Sequence, residues 1–415
     1  MTTYKTRIAT AIATGSVLLQ AVAGLTFAST SITLSTNGAD SNNTANITHS
    51  SNTTVVQNNT ANITNNVDVN SSTGGNDADK NTGGTVKVDT GNATTNVTVS
   101  NSANQNAANV QGCGCGDGDT NVTIDKNGAE SSNSVDLNSN NTVGVFQNNT
   151  ANVGNNVNVH ANTGDNDAYK NTGGGVSVTT GDTNTTVNLT TNADANTAVV
   201  GGGSDGQGGG ISAVIMKNGA DSDNNIGLGF DNNMIVSQDN SAGVSNKVDV
   251  YGNTGGNDAN KNTGGNAKVD TGNANADVSV DNNVNFNAAD VSNCACLDDV
   301  SADIDTNGAE SSNNIDASFG FNEGKDAGTF QTNDAGVTNK LDDIKGKTGY
   351  NDVNENTGNP NGDPSAVTGD ANSDVTVGTN ANVNSYGPGG DIQFPHMDVH
   401  FDFDLNDLLG YLMSH

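Results

Sequence analysis

Tryptophan is absent from this 415-residue chain, aromatic residues make up 4% of it, and apolar residues of all kinds 32%. Globular chains usually carry about 45–50% apolar residues, so no wide core of Leu and Phe can be built from this material. Two solutions remain: disorder, or a thin fold in which backbone ladders and stacked like side chains replace a thick core. Val and Ile recur at period two throughout the chain, which a merely solvated polymer does not need, so the thin fold is the expectation.

Positive charge is scarce as well, with 14 Lys and Arg against 46 Asp and Glu and a net charge of −32. Nucleic-acid binding needs a basic footprint, and this chain has the reverse. An acidic surface favours solubility and self-repulsion, and makes divalent cations the ions to consider. The five His are scattered, three of them close to the C-terminal end, so no Ser–His–Asp or Cys–His constellation can be drawn. Carboxylate pairs like those of glycoside-cleaving β-helices sit on long irregular insertions, which are missing here. The chain is expected not to be an enzyme.

Long apolar runs are missing too, with one exception. Lys5 and Arg7 form a basic start, and a mostly apolar stretch follows from Ile8 to Phe27. Thr26 and Ala28 then stand at the −3 and −1 positions of a cleavage site after Ala28, so residues 1–28 are expected to be a signal peptide. No other run reaches the roughly 18 apolar residues of a membrane-crossing helix, so no span is expected after the leader is removed. The expected localisation is extracellular or on the cell surface.

What is present is repetition. The pentad Asn37-Gly38-Ala39-Asp40-Ser41 returns at Asn127, Asn218 and Asn307, at spacings of 90, 91 and 89 residues. The stretch NNVDVNSSTGGNDADKNTGGTVKVDTGNATTNVTVSN from Asn65 returns at Asn155 and Asn246, and in decayed form at Asn339. The organisation expected is therefore repeat 1 over 29–126, repeat 2 over 127–217, repeat 3 over 218–306 and repeat 4 over 307–390. Residues 391–415 form a separate cap or docking segment.

Within a repeat, strand-like pieces such as Val67-Asp68-Val69, Val86-Lys87-Val88 and Val97-Thr98-Val99 are separated by Asn-Gly, Thr-Gly and Gly-Asn pairs. These pairs are expected to supply turns of positive φ. The fold class expected is all-β, an elongated β-solenoid resembling a parallel β-helix, with Asn and Thr stacked in side-chain ladders. At roughly 20 residues per coil the chain would make roughly 15 to 20 coils and a rod on the order of 80 Å long. A string of small sandwiches, one per repeat, is the alternative.

Chemistry has few places to sit. Oxygen-bearing residues alternate in the loops Asp77-Ala78-Asp79-Lys80-Asn81, Asp167 to Asn171, Asp258 to Asn262 and Asp352 to Asn356, as in calcium loops. The middle position varies and Lys80, Lys170 and Lys261 lie inside the loops, which lowers cation affinity. A turn whose Asn and Asp bond their own backbone is the preferred reading, with calcium kept as a candidate cofactor and no other expected. Cys113 and Cys115, and Cys294 and Cys296, are the only thiols. In an exported protein they would form two local bridges, through tight turns at Gly114 and Ala295, or link neighbouring chains. The C-terminal segment alternates apolar residues at Phe394, Val399, Phe401, Phe403 and Leu405 before Leu408 and Leu412, and is the expected assembly segment.

Gln57-Asn58-Asn59-Thr60-Ala61-Asn62 and Gln147-Asn148-Asn149-Thr150-Ala151-Asn152 resemble the curlin-type repeats of bacterial extracellular fibres, with their Gln-x-Gly-x-x-Asn-x-Ala texture. The Gly after Gln is missing, and the copies from Gln238 and Gln331 drift. The resemblance implies a secreted fibre or matrix subunit stacked through Asn and Gln ladders, with other copies of itself or other surface components as partners. The alternative is a repeat-based binding module whose Thr and Asn faces meet glycan, ice or calcium.

Overall fold

A computed structural model describes residues 5–14, 17–22, 29–110, 119–200, 210–291, 300–321, 328–358 and 364–387. The fold is all-β, with every strand pairing parallel and no helix among the described residues. Strands β1 (Lys5–Thr14) and β2 (Val17–Val22) come first. The first repeat then supplies β3 (Thr30–Ser35), β4 (Asn42–Ser72), β5 (Val86–Asp89) and β6 (Ala93–Val110). The second supplies β7 (Thr120–Asp125), β8 (Ser132–Asn162), β9 (Val176–Thr179) and β10 (Thr183–Val200). The third supplies β11 (Ile211–Met216), β12 (Asp223–Asn253), β13 (Ala267–Asp270) and β14 (Ala274–Val291). The fourth supplies β15 (Val300–Asp305), β16 (Ser312–Phe321), β17 (Gly328–Lys347), β18 (Ser365–Val367) and β19 (Ala371–Gly387).

Each strand pairs with its counterpart one repeat on, and each repeat is thus one row of a stack. β4 lies against β8 without a slip from Asn42↔Ser132 to Ser72↔Asn162. β8 pairs with β12, and β12 with β16, equally without a slip, while β12 against β17 shifts register between Asp249 and Tyr251. The other sheets run β15-β11-β7-β3, β18-β13-β9-β5 and β6-β10-β14-β19, and no sheet is made by one repeat alone. The sandwich-per-repeat alternative is thereby overturned.

The expected coil of roughly 20 residues is corrected as well, since the stacking interval is 90 residues at Gln57↔Gln147. The physical reason lies inside β4. Inward and outward positions alternate over its whole length, and the inward side carries polar Gln57, Asn59 and Asn65 between Val55, Ile63 and Val69. Polar inward residues read as strand ends in the sequence. Here their amides find partners indoors, so the strand continues to 31 residues, about 100 Å at roughly 3.3 Å per residue.

A second layer covers the first. The chain turns back after β4, so that Val97 and Val99 of β6 pack on Val69 while Ala108 and Val110 pack on Val55. β3 covers Ala45 and Ile47, and β5 packs on Ala78 of the connecting loop. Row on row, these contacts build narrow columns of Val, Ile, Leu and Ala. Thin columns are what the low apolar content allows.

Positive φ falls at Gly83, Gly173 and Gly264 of the Thr-Gly pairs, as expected, but not at the glycines of the pentads. Around the pentads it is Thr36 and Asp40 that take φ of 59° and 58°, with Lys126 and Glu130 repeating them at 57° and 58°. The pentad glycine serves a different need: a Cβ on Gly128 would overlap the Gly38–Ala39 backbone of the row beside it. In β6 and its counterparts, Asn104, Asp194, Asn285 and Asn382 all stand at φ between 54° and 60°. Asn and Asp tolerate this region best among residues with a side chain. Each switches its strand's inward face from one parity to the other, from Val99 and Ala103 to Asn106 and Ala108 in the first row.

Candidate assembly surface

The interior amides form continuous columns. Gln147 Nε2 donates to Gln57 Oε1 at 2.7 Å, Gln238 Nε2 to Gln147 Oε1 at 2.8 Å, and Gln331 Nε2 to Gln238 Oε1 at 2.8 Å. Each Nε2 also donates across to the opposite layer: Gln57 to Ala107 O, Gln147 to Thr197 O and Gln238 to Ala288 O, all at 2.9 Å, and Gln331 to Ser385 O at 3.0 Å. A second column runs Asn106 to Asn196 to Asn287 to Asn384 at 3.0, 3.0 and 3.1 Å. A third runs Asn65 to Asn155 to Asn246 to Asn339 at 2.7, 2.8 and 2.7 Å. A buried amide left unpaired would cost about 1–3 kcal/mol, so these columns hold the rows in register as firmly as they hold them together.

The loop residues proposed for calcium join the same system. Asn81 donates to Asn171 Oδ1 at 2.9 Å and Asn171 to Asn262 Oδ1 at 3.0 Å, while the Asn262 backbone N–H reaches Asn356 Oδ1 at 2.8 Å. Asp79 Oδ1 accepts the backbone N–H of Tyr169 at 2.9 Å. Asp77, Asp167, Asp258 and Asp352 stack at bridge positions, one per row. Burial first, then the neighbouring Asp79, Asp258 and Asp77, push the Asp167 carboxyl above its ordinary value. Asp258 is pushed up by burial and by Asp352. Among the described residues, no three His, Cys, Asp or Glu side chains are gathered as a metal ion would need. The two Cys pairs and the whole segment 391–415 lie outside the described residues.

The two ends of the stack differ. On the first row, β3, β4 and β5 are edge strands, while β1 and β2 lie along β6. On the last row, β15, β16, β17, β18 and β19 are edges. That row leaves Ile315 (47%), Val375 (48%) and Val377 (45%), members of inward columns, open to solvent, while Phe330 and Val367 are exposed on the outward face, as Val56 is in the first row. Sequence reasoning placed assembly in the C-terminal segment and did not single out this rim. The signal available was the repeat itself, whose fourth copy keeps Ile315, Val375 and Val377 in the apolar columns, although Pro364 and Lys347 stand where the third copy has Ala267 and Asn253.

No family model matches the chain, and no curated protein or solved structure is significantly similar to it.

Proposed function

We propose that the chain is an exported, non-enzymatic structural or adhesive protein, a subunit of an extracellular fibre or cell-surface matrix. In this reading the rows are the four coils of a β-solenoid, and copies join by adding the first coil of one molecule to the last coil of another. The observation that carries it is the last row, an unpaired strand edge with Ile315, Val375 and Val377 of the inward columns half exposed. Edge strands of monomeric proteins are normally blunted by charge, proline or a covering element.

The hydrogen-bonding groups at the two ends are complementary. Asn133 Oδ1 accepts from both Asn43 at 2.8 Å and Asn127 at 3.3 Å. Asn43 Oδ1, at the first edge, accepts from Asn37 at 2.6 Å and has room for a second donor. Asn313 closes that column on the last row, where its Oδ1 accepts from Asn224 at 2.8 Å and its Nδ2 faces the open end. A second copy set on the last row would supply the acceptor. Removal of the leader after Ala28 would free the β6 edge for the same contact, since β1 and β2 occupy it. The Gln columns are also the residues that carry the curlin resemblance, and that supports a stacked fibre.

Negative-stain imaging of the mature protein, residues 29–415, tests the reading. Rods that grow end to end are expected, and Val375→Lys with Val377→Lys should stop growth while leaving the β spectrum of the monomer intact. Rods that grow unchanged in that double variant would remove the last row from the contact. Deleting residues 391–415 assigns the tail: lost polymers make it a docking arm, faster growth makes it a cap.

A further inference from the structure

One rung is missing from one interior column. Asn104, Asp194, Asn285 and Asn382 stand above one another at the face switch of β6, β10, β14 and β19. Asn104 Nδ2 donates to Asp194 Oδ1 at 2.9 Å, and Asn285 Nδ2 donates to Asn382 Oδ1 at 3.1 Å. Between them, where an Asn would donate from row two to row three, Asp194 Oδ2 and Asn285 Oδ1 are both buried and both without a partner. The rows on either side show a second donation at this site: Asn104 to Thr150 O at 2.6 Å and Asn285 to Asp334 O. The register makes Ser241 O the equivalent acceptor for Asp194. With the carboxyl ionised, Oδ1 accepts from Asn104 while Oδ2 has no donor, and the site is fully enclosed, with Asp194 and Asn285 each 0% exposed.

We propose that the Asp194 carboxyl is protonated in the folded chain, and that its Oδ2–H supplies the missing rung, so that the stack is held by a proton that rising pH removes. Protonation turns the acid into the nearest equivalent of the Asn found in the other three rows, with one oxygen accepting and one donating. No other charge offers an alternative. β6 carries no ionisable side chain, and β10 only Asp194 itself. On β14, Asp277, Asp281 and Asp290 occupy outward positions. On β8, Asp136 and His160 lie on the outward side of the alternation, as do Asp223, Asp231, Asp239, Lys247 and Asp249 on β12. Around the face switch the side chains of Ala103, Ala151, Val153, Ala193 and Ala242 form an apolar cluster, which supplies no donor for Oδ2.

Burial pushes the Asp194 carboxyl up to about 7 from an ordinary 3.8, against opposing hydrogen bonds from Asn104 and the Ala151 backbone. The folded chain therefore holds a proton between about pH 4 and about pH 7 that the unfolded chain has released. Stability from this group is greatest below about pH 4, falls through that window, and is flat above it.

Urea unfolding of the mature protein and of Asp194→Asn, from pH 4 to pH 8, tests the proposal. Relative to the variant, the wild-type folding constant should fall about a thousandfold across the window, as a shift of about three pH units requires. Parallel profiles for the two proteins would overturn the proposal. Infrared spectra of the wild type decide independently of any variant. A carbonyl band of a buried, unionised carboxyl should persist at pH 6 and vanish by pH 8; its absence at pH 6 would also overturn the proposal.

Discussion

The second and fourth rows are built from the same kinds of residue and differ mainly in what lies beyond them. In the column Val97, Val187, Val278, Val375, exposure is 1%, 0% and 3% for the first three and 48% for the last. The column Ala45, Val135, Ile226, Ile315 runs 4%, 0%, 0% and 47%. A row in this fold is not a core. In these columns the inner rows close over their neighbours and the last row stands open, as at the end of other repeat arrays. The Gln column gives the sharpest way to break the comparison. Gln147→Ala removes the acceptor of Gln238 Nε2 and the donor to both Gln57 Oε1 and Thr197 O. With each buried group costing about 1–3 kcal/mol, a loss of about 4 kcal/mol is expected in urea unfolding. Gln331→Ala removes the corresponding partners on the half-open row, where water replaces them, and should cost about 1 kcal/mol.

The apolar columns give a smaller effect with a sharper reading. Val187→Ala should destabilise the monomer by about 2 kcal/mol, while Val375→Ala should cost less than about 1 kcal/mol. Stacking of copies through the last row would bury Val375 as Val187 is buried. The two substitutions should then become equally costly in assembled rods, read as the concentration of denaturant that dissolves them. A difference that persists in the rods would place the growing contact elsewhere.

Much of this was legible in the sequence, for a reason the pentads make plain. Repeats at intervals of 90, 91 and 89 residues can satisfy backbone and side chains alike only by stacking in register, and the Asn ladders follow. The expected Thr ladders are not formed by stacked Thr95 and Thr185. The length of a row was not legible. Gln57, Asn59 and Asn65 are polar, and polarity at an inward position mimics a turn unless the partner 90 residues on is already in view. The pentad glycine misled in the same way: it suggests positive φ, whereas Gly128 is needed because the Gly38–Ala39 backbone lies against it. Asp194 could have been found as the one acid in a column otherwise of Asn, but only after the face switch at Asn104 was known. Repetition reports equivalence between positions, and burial at those positions has to come from the structure.

The smallest expected effect separates the outer acidic column from the interior acid. Asp77, Asp167, Asp258 and Asp352 stack in the loops, and Asp167 and Asp258, the two inner members, have their carboxyls pushed up by burial and by their neighbours. The sign is the same as for Asp194: the folded chain holds protons more tightly, so stability declines as pH climbs above the ordinary 3.8. The size is not, because partly solvated carboxylates are screened, and Asp167→Asn should recover under about 1 kcal/mol at neutral pH. Salt provides the distinction. Raising ionic strength to about 1 M shortens the screening length to roughly 3 Å, which should remove the like-charge share of the benefit of Asp167→Asn and keep its burial share, while leaving that of Asp194→Asn intact. A benefit at Asp167 that salt leaves wholly unchanged would mean that the stacked acids add nothing to its titration, making the loop column an interior feature like the Asp194 column.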